Sequence, residues 1–310
     1  MLLYIVDIIA PVFLVIGFGY LIVRRGIMTD AMVDGLMKFA VQIAIPCLLF
    51  RAIASMDLGS SYDWRLMTAF YAGATISFTL ATFLAWKLFH RHPGESVAVG
   101  FGALFSNLVL LGLPISERAW GADNLSPAFA VVSVHAAFCY FLGITTMELL
   151  RSDGRSLTET SRIVMNAMFR NSMMIGIGLG FLFNFSGLAM PQIVASALDL
   201  VSRAALPAAL FGLGGVLTRY TIKHSLTEAG MVIFMSLIIH PTITLLLCHL
   251  FDVESTLTRV VVLLAAMAPG ANSYLFSAMY QRGQGTAASS VLLGTAISVF
   301  SVSAWLWFLS

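Results

Sequence analysis

Ten apolar stretches, each long enough to cross a bilayer as a helix, follow one another along almost the whole sequence. A helix needs about 20 mostly apolar residues to span the hydrocarbon core, because each residue advances it by only about 1.5 Å. We place the spans at residues 4–23, 33–55, 66–89, 96–118, 124–149, 171–189, 192–218, 229–251, 257–280 and 286–309. The sequence therefore predicts an all-α membrane protein with ten transmembrane helices.

The composition excludes a soluble globular domain. Hydrophobic residues make up 59% of the 310 residues and charged residues only 10%, whereas soluble domains carry about 25% charged residues. The basic residues are dispersed and the net charge is +2, so nothing indicates a nucleic-acid partner. Cys47, Cys139 and Cys248 lie in apolar stretches and form neither a disulfide framework nor a metal pattern. We expect no metal and no cofactor.

The positions of Lys and Arg predict the orientation, because these residues accumulate in cytoplasmic loops. The loops after odd-numbered spans, with the adjoining span ends, contain eleven of them, and the loops after even-numbered spans, with their adjoining span ends, contain four. This bias places both termini outside the cytoplasm. The first apolar run is followed by Arg24 and Arg25 instead of a small-residue cleavage site, so we expect a retained first span.

The two halves of the chain, residues 1–149 and 171–310, contain similar segments on either side of a linker at residues 150–170. Residues 16–21 (IGFGYL) resemble residues 177–182 (IGLGFL), and residues 44–50 (AIPCLLF) resemble residues 205–211 (ALPAALF). Both pairs are 161 residues apart. Because each half holds five spans, the second half is predicted to be inverted in the membrane, a recurring plan of secondary transporters.

Two spans, the fourth and the ninth, carry Gly/Pro interruptions near their middle. Proline removes a backbone hydrogen bond that lipid cannot replace, so such breaks persist only where protein or a water-filled cavity covers them. The downstream half-helix then offers free N–H groups and the positive end of its dipole, which suit a carboxylate. The alternative is a pair of structural kinks. The matching breaks favour an anion site formed by Asn107, Gly112, Pro114, Pro269, Gly270, Asn272 and Ser273.

Three titratable residues inside the spans are candidates for proton coupling. His135 and His240 titrate near neutrality, although each is also a reasonable packing residue. Asp199 and Arg203 are spaced i, i+4 on the seventh span, where they can pair on one helix face. That pair is either structural or part of the solute route, since charges at membrane depth usually face a cavity.

The order of these motifs resembles the auxin efflux carrier family, within the superfamily of bile acid and auxin transporters. This family includes plant PIN-type auxin exporters and bacterial carriers for malonate or malate. The resemblance rests on residues 9–26, on the spacing of Asn107, Gly112 and Pro114, and on residues 269–274 (PGANSY). Plant members have a long loop between the halves, whereas the linker here has about twenty residues. The chain is therefore more similar to a bacterial-type member of the inner membrane.

The resemblance implies a scaffold bundle, a transport bundle with crossing fourth and ninth helices, a carboxylate substrate, an elevator-type motion and a homodimer. The residues themselves favour a secondary or facilitative carrier of a small organic anion. No Walker loop appears, so ATP does not drive it directly. A channel or a transporter-like receptor is the alternative. An intramembrane enzyme is less favoured, because the histidines do not cluster and no catalytic constellation is visible in the sequence.

Overall fold

The computed structural model describes residues 2–150, 162, 171–220 and 226–310. Helices joined by short connections make up these ranges, and no strand occurs among the described residues. Its helices are α1 (Leu2–Arg24), α2 (Asp30–Ser55), α3 (Trp64–Lys87), α4 (Pro93–Leu104), α5 (Leu113–Trp120), α6 (Ser126–Leu150), α7 (Ser172–Ser186), α8 (Gln192–Leu217), α9 (Leu226–Leu250), α10 (Ser255–Ala265), α11 (Ala271–Tyr280) and α12 (Gln284–Leu309). The predicted all-α class is confirmed. Apart from Leu150 and Arg162, the predicted linker at 150–170 lies outside the described residues.

Seven of these helices are long and apolar enough to cross a membrane, namely α1, α2, α3, α6, α8, α9 and α12. The helices α7 and α10 are apolar but shorter. Each predicted span overlaps one helix or, at the fourth and ninth spans, a pair of helices. The count of ten membrane crossings stays a prediction, because the shorter helices do not meet the length needed to cross alone.

Three π-helical turns interrupt the helices, and each one ends two residues before a proline. They are Ala40–Ala44 before Pro46, Leu108–Gly112 before Pro114, and Met235–Ile239 before Pro241. A proline ring clashes with the carbonyl of the preceding turn and lacks an N–H group. A widened turn relieves this clash without ending the helix. In α2 and α9 the chain thus passes a proline as one continuous helix.

The helix α1 packs against α8, and α2 packs against α7, at glycines that allow the backbones to approach closely. A Cβ added at Gly19 would lie 2.1 Å from the carbonyl oxygen of Phe211, and one at Gly180 would lie 2.9 Å from that of Phe50. Gly19 and Gly180 are 161 residues apart, as are Phe50 and Phe211. The two contacts are therefore equivalent. In one, the glycine comes from the first half and the phenylalanine from the second, and in the other the halves are reversed.

An ion-pair cluster joins α9 to the loop before α4. The Glu228 side chain is 4% exposed and accepts a hydrogen bond of 2.6 Å from Nε of Arg91. Its second oxygen accepts one of 2.8 Å from the Thr286 hydroxyl of α12. The hydrogen bond to Glu228 raises the pKa of the Arg91 guanidinium. Because both carboxylate oxygens are engaged, this cluster holds three separate parts of the chain together.

Candidate functional site

Both spans are broken, and the two breaks meet. The ninth span breaks at Pro269 and Gly270 as predicted, whereas the fourth breaks at residues 105–107, because a π-helical turn lets the helix accommodate Gly112 and Pro114. The helix α4 ends at Leu104 and α10 ends at Ala265, and each is followed by a non-helical segment before the chain turns helical again. Ser106 and Pro269 form an antiparallel bridge between these segments. The N–H of Asn107 donates to the carbonyl of Ala268 at 2.9 Å, and the carbonyl of Phe105 accepts from Gly270 at 2.8 Å. We call this arrangement, residues 105–107 with 268–270, the crossover.

The two backbone segments of the crossover lie close together, and Pro269 and Gly270 allow this approach. A Cβ added at Gly270 would lie 3.4 Å from the carbonyl oxygen of Phe105 and 3.5 Å from Cα of Asn107. Pro269 lacks an N–H group and so leaves no donor unpaired in the buried bridge. Its ring lies against Gly294 of α12, where an added Cβ would be only 2.9 Å from the ring. The crossover therefore needs small residues on two of its sides.

Asn107 stands at the start of the π-helical turn that leads into α5. Its side-chain oxygen accepts a hydrogen bond of 3.3 Å from the N–H of Leu110. Its Nδ2 atom is buried and has no hydrogen-bond partner among the described residues. Gly112 ends the turn and lies against Leu264 of α10, and Pro114 occupies the first turn of α5. Asn107 thus presents an unused donor next to the crossover.

Ser273 and Asn272 lie in the first turn of α11, directly after the crossover. Ser273 is fully buried, and its hydroxyl has no partner in the described structure. Asn272 is half-buried. The helix α11 and the turn after Asn107 both begin at the crossover, so both present N-terminal N–H groups there. A buried hydroxyl and amide without protein partners are uncommon, and a bound polar ligand is one physical reason to keep them.

Both candidate histidines are buried beside the crossover. His240 places Nδ1 at 3.5 Å from the Ser106 hydroxyl and Nε2 at 3.4 Å from the carbonyl oxygen of Phe70. A carbonyl can only accept, so the hydrogen of the neutral ring belongs on Nε2, and Nδ1 accepts from Ser106. The His135 ring centroid is 4.8 Å from that of Phe105. The structure thus brings together two histidines that are 105 residues apart in sequence.

Asp199 lies elsewhere, at a cleft bounded by α1, α2, α5 and α8. Its predicted pairing with Arg203 is confirmed, with Nη2 at 2.6 Å from Oδ2. The other carboxylate oxygen bonds to Arg51 of α2, a partner that the sequence analysis missed. The sequence marks Arg51 in the same way as Asp199, since each is a charged residue near the end of an apolar span. Nothing in the sequence indicates that residues 148 positions apart are in contact.

The cleft has a volume of about 1020 Å³ and reaches Leu113 and Pro114 in the first turn of α5. Arg118 of α5 lines it and also bridges to α1. Its guanidinium donates to the carbonyl oxygen of Asp7 at 2.6 Å. Pro11 lacks the N–H that would otherwise bond to this carbonyl, so Arg118 satisfies an acceptor that the proline leaves free. Arg118 thus forms a specific contact between α1 and α5.

Comparison with known proteins places the chain among transporters. The sequence profile of the family described as "Membrane transport protein" matches residues 4–306. An "Uncharacterized transporter" of Methanothermobacter thermautotrophicus is 23% identical over 297 residues, 95% of each chain. A "Putative malonate transporter" of Rhizobium meliloti is 22% identical over 304 residues, 98% of this chain and 95% of that protein. YfdV of Escherichia coli, an "Uncharacterized transporter", is 22% identical over 315 residues, 99% of this chain and 98% of that protein.

These descriptions are those of membrane transporters and not of enzymes, as the sequence led us to expect, and they confirm the resemblance to the auxin efflux carriers. Together with the apolar helices they establish an integral membrane protein. The chain therefore belongs to the membrane transport protein family.

Proposed function

We propose that this protein is a secondary active or facilitative transporter of a small organic anion, a carboxylate of the malonate or malate type. The observation that carries the proposal is the crossover with its unpaired buried donors, Nδ2 of Asn107 and the hydroxyl of Ser273. A carboxylate accepts several hydrogen bonds and would satisfy both donors at once. The malonate named for the Rhizobium meliloti relative belongs to this class of solute.

Helix N-termini supply the remaining positive potential. The helix α11 and the turn after Asn107 both start at the crossover, and each presents N–H groups and a partial positive charge. Such dipoles neutralise an anion without a buried Lys or Arg, whose desolvation is costly at membrane depth. We assign the substrate to Asn107, Gly112, Pro114, Pro269, Gly270, Asn272 and Ser273.

We further propose ten membrane crossings arranged as two inverted five-helix repeats, residues 1–149 and 171–310. The exchanged contacts Gly19–Phe211 and Gly180–Phe50 support this, because a two-fold relation between the halves produces such a swap. They also make α1, α2, α7 and α8 a tightly packed scaffold. In an elevator-type cycle the crossover helices would move against that scaffold and expose the site to each side in turn. Both termini would be extracytoplasmic in a bacterial inner membrane, with homodimers formed through the scaffold.

Proton coupling, if the carrier uses it, is best assigned to His135 and His240. His240 contacts the Ser106 hydroxyl, and the backbone of Ser106 is part of the crossover bridge. A proton added to Nδ1 would remove the acceptor that this hydroxyl uses, so the charge on His240 and the crossover geometry are linked. Asp199, the third candidate, lies in the cleft between two guanidinium groups.

Counterflow in proteoliposomes tests the proposal. Purified protein is loaded with one unlabelled carboxylate and offered labelled mono- and dicarboxylates, with and without an imposed proton gradient. We expect saturable exchange of at least one carboxylate, and its loss in Asn107→Ala protein that unfolds at the wild-type temperature. A flux that does not saturate would indicate a channel. Absence of exchange from folded wild-type protein would refute the carrier of organic anions.

A further inference from the structure

The cleft outside the crossover carries an excess of positive charge. Three guanidinium groups and two carboxylates line it, from Arg51, Arg118, Arg203, Glu117 and Asp199. Arg118 bonds to backbone carbonyls of α1, which are neutral acceptors and leave its charge uncompensated. The remaining surface is mostly apolar and contains few other polar side chains. Such an excess of positive charge in a cleft attracts anions.

Arg51, Asp199 and Arg203 form a trio in which one carboxylate serves two guanidinium groups. Arg51 binds one carboxylate oxygen, and Arg203 binds the other through Nε at 2.9 Å and Nη2 at 2.6 Å. Asp199 is the one partner of Arg51 among the described residues. A guanidinium has five N–H donors in a planar fork. The trio therefore keeps one net positive charge and several donors that a second carboxylate can use.

A second observation points to a polar ligand in the same cleft. Ser202 lines the cleft and is 4% exposed, yet its hydroxyl has no hydrogen-bond partner in the described structure. It lies on α8 beside Arg203. The cleft also includes the first turn of α5, just past the π-helical turn that Asn107 begins. The trio and Ser202 thus line the same cleft as the first turn of α5, which follows the π-helical turn that begins at the crossover.

We propose that the Arg51–Asp199–Arg203 trio, with Ser202, is an entrance site that binds the carboxylate of the solute before it reaches the crossover. Without solute, the Asp199 carboxylate binds the guanidinium group that the solute carboxylate would otherwise bind. The incoming anion takes over Arg51, while Asp199 stays with Arg203 on its own helix. No guanidinium is left without a counter-charge during the exchange, so the step avoids the cost of an unpaired charge. This inference rests on the proposed transport of organic anions.

Opposite effects of two substitutions test the inference. Arg51→Gln removes the group that receives the solute, so we expect the counterflow KM to rise by about tenfold. Asp199→Asn removes the competing carboxylate and leaves both guanidinium groups, so we expect KM to fall, by about threefold. A purely structural ion pair predicts the same direction for both substitutions, because either one breaks it. Increasing salt should raise KM in the wild type and have less effect in Arg51→Gln.

Arg65→Gln is the matched control. Arg65 has a side-chain exposure of 41%, against 44% for Arg51, and pairs with Asp63 outside the cleft. We expect wild-type KM and wild-type salt dependence for this variant. If Arg51→Gln does not fold, Asp199→Asn decides alone, with a fall in KM supporting the entrance site and a rise refuting it.

The outcomes separate this inference from the proposed function. Exchange by the wild type with the same KM in Arg51→Gln, Asp199→Asn and Arg65→Gln would overturn the entrance site and leave the carrier intact. Absence of carboxylate exchange in folded wild-type protein would overturn both. A raised KM in Arg51→Gln, a lowered KM in Asp199→Asn and an unchanged KM in Arg65→Gln would establish the entrance site.

Discussion

Ser273→Ala separates a binding role for this hydroxyl from a structural one. The hydroxyl is fully buried and has no partner among the described residues. A buried polar group without a hydrogen bond costs about 1–3 kcal/mol in proteins, and its removal leaves a cavity of only one oxygen atom. We therefore expect the free energy of unfolding to stay constant or to rise by about 1 kcal/mol.

In the loaded carrier the same substitution removes a hydrogen bond to a carboxylate. Hydrogen bonds to charged groups contribute about 1.5–3 kcal/mol, so we expect the affinity to fall by about 10- to 150-fold. Thermal unfolding in detergent, with and without the carboxylate, gives both quantities, and counterflow KM checks the second. Stability and affinity should thus change in opposite directions.

Ser290→Ala provides the control at equal burial. The hydroxyl of Ser290, also fully buried, donates to the carbonyl of Thr286 at 2.6 Å. Its loss should lower the free energy of unfolding by about 1 kcal/mol and leave KM unchanged. A less stable Ser273→Ala protein with wild-type affinity would refute our assignment, since the hydroxyl would then have a structural partner and no part in solute binding.

Four further substitutions test the packing that holds the site. Gly214→Ala should strongly destabilise the protein, because the new Cβ would lie 1.9 Å from a backbone carbonyl of α1, whereas Gly17→Ala, with nothing within 4 Å, should be neutral or slightly stabilising in thermal unfolding. Arg118→Met should cost about 1.5–3 kcal/mol of unfolding free energy, because the Asp7 carbonyl loses a charged donor. Glu228→Gln should destabilise by about 1–3 kcal/mol, because Arg91 loses its buried counter-charge and keeps only the part-exposed carboxylate of Glu95.

The sequence predicted the features that depend on local chemistry. Long apolar runs gave the helical class, and Pro269 with Gly270 in an apolar span marked a break that lipid cannot tolerate. The π-helical turns were missed, although each is signalled by a proline in an apolar span such as Pro46 or Pro241. Sequence alone does not decide whether a proline kinks, breaks or widens a helix, because the neighbouring helices determine which carbonyls can be left free.

Contacts between distant segments were beyond prediction. The spacing of Asp199 and Arg203 follows from helix geometry, but the second partner, Arg51, comes from another helix and shares no periodicity with them. The same holds for His135 and His240, whose proximity depends on how α6 and α9 pack around the crossover. Sequence reasoning therefore selected candidate groups by their chemical type, and could not tell which of them lie close together.

The geometry suggests why a carrier of this kind would use two different sites for one anion. At the crossover the backbone groups of residues 105–107 and 268–270 bond to each other. The side-chain donors of Asn107 and Ser273 and the N-terminal N–H groups of the following helical segments are what remains for the solute. A guanidinium in that dry region would carry a heavy desolvation cost. In the cleft, where the side chains of Arg51 and Arg203 are exposed, a guanidinium keeps most of its hydration and the desolvation cost is smaller. The cleft would then select solutes by their negative charge, and the crossover would select them by shape and hydrogen bonding.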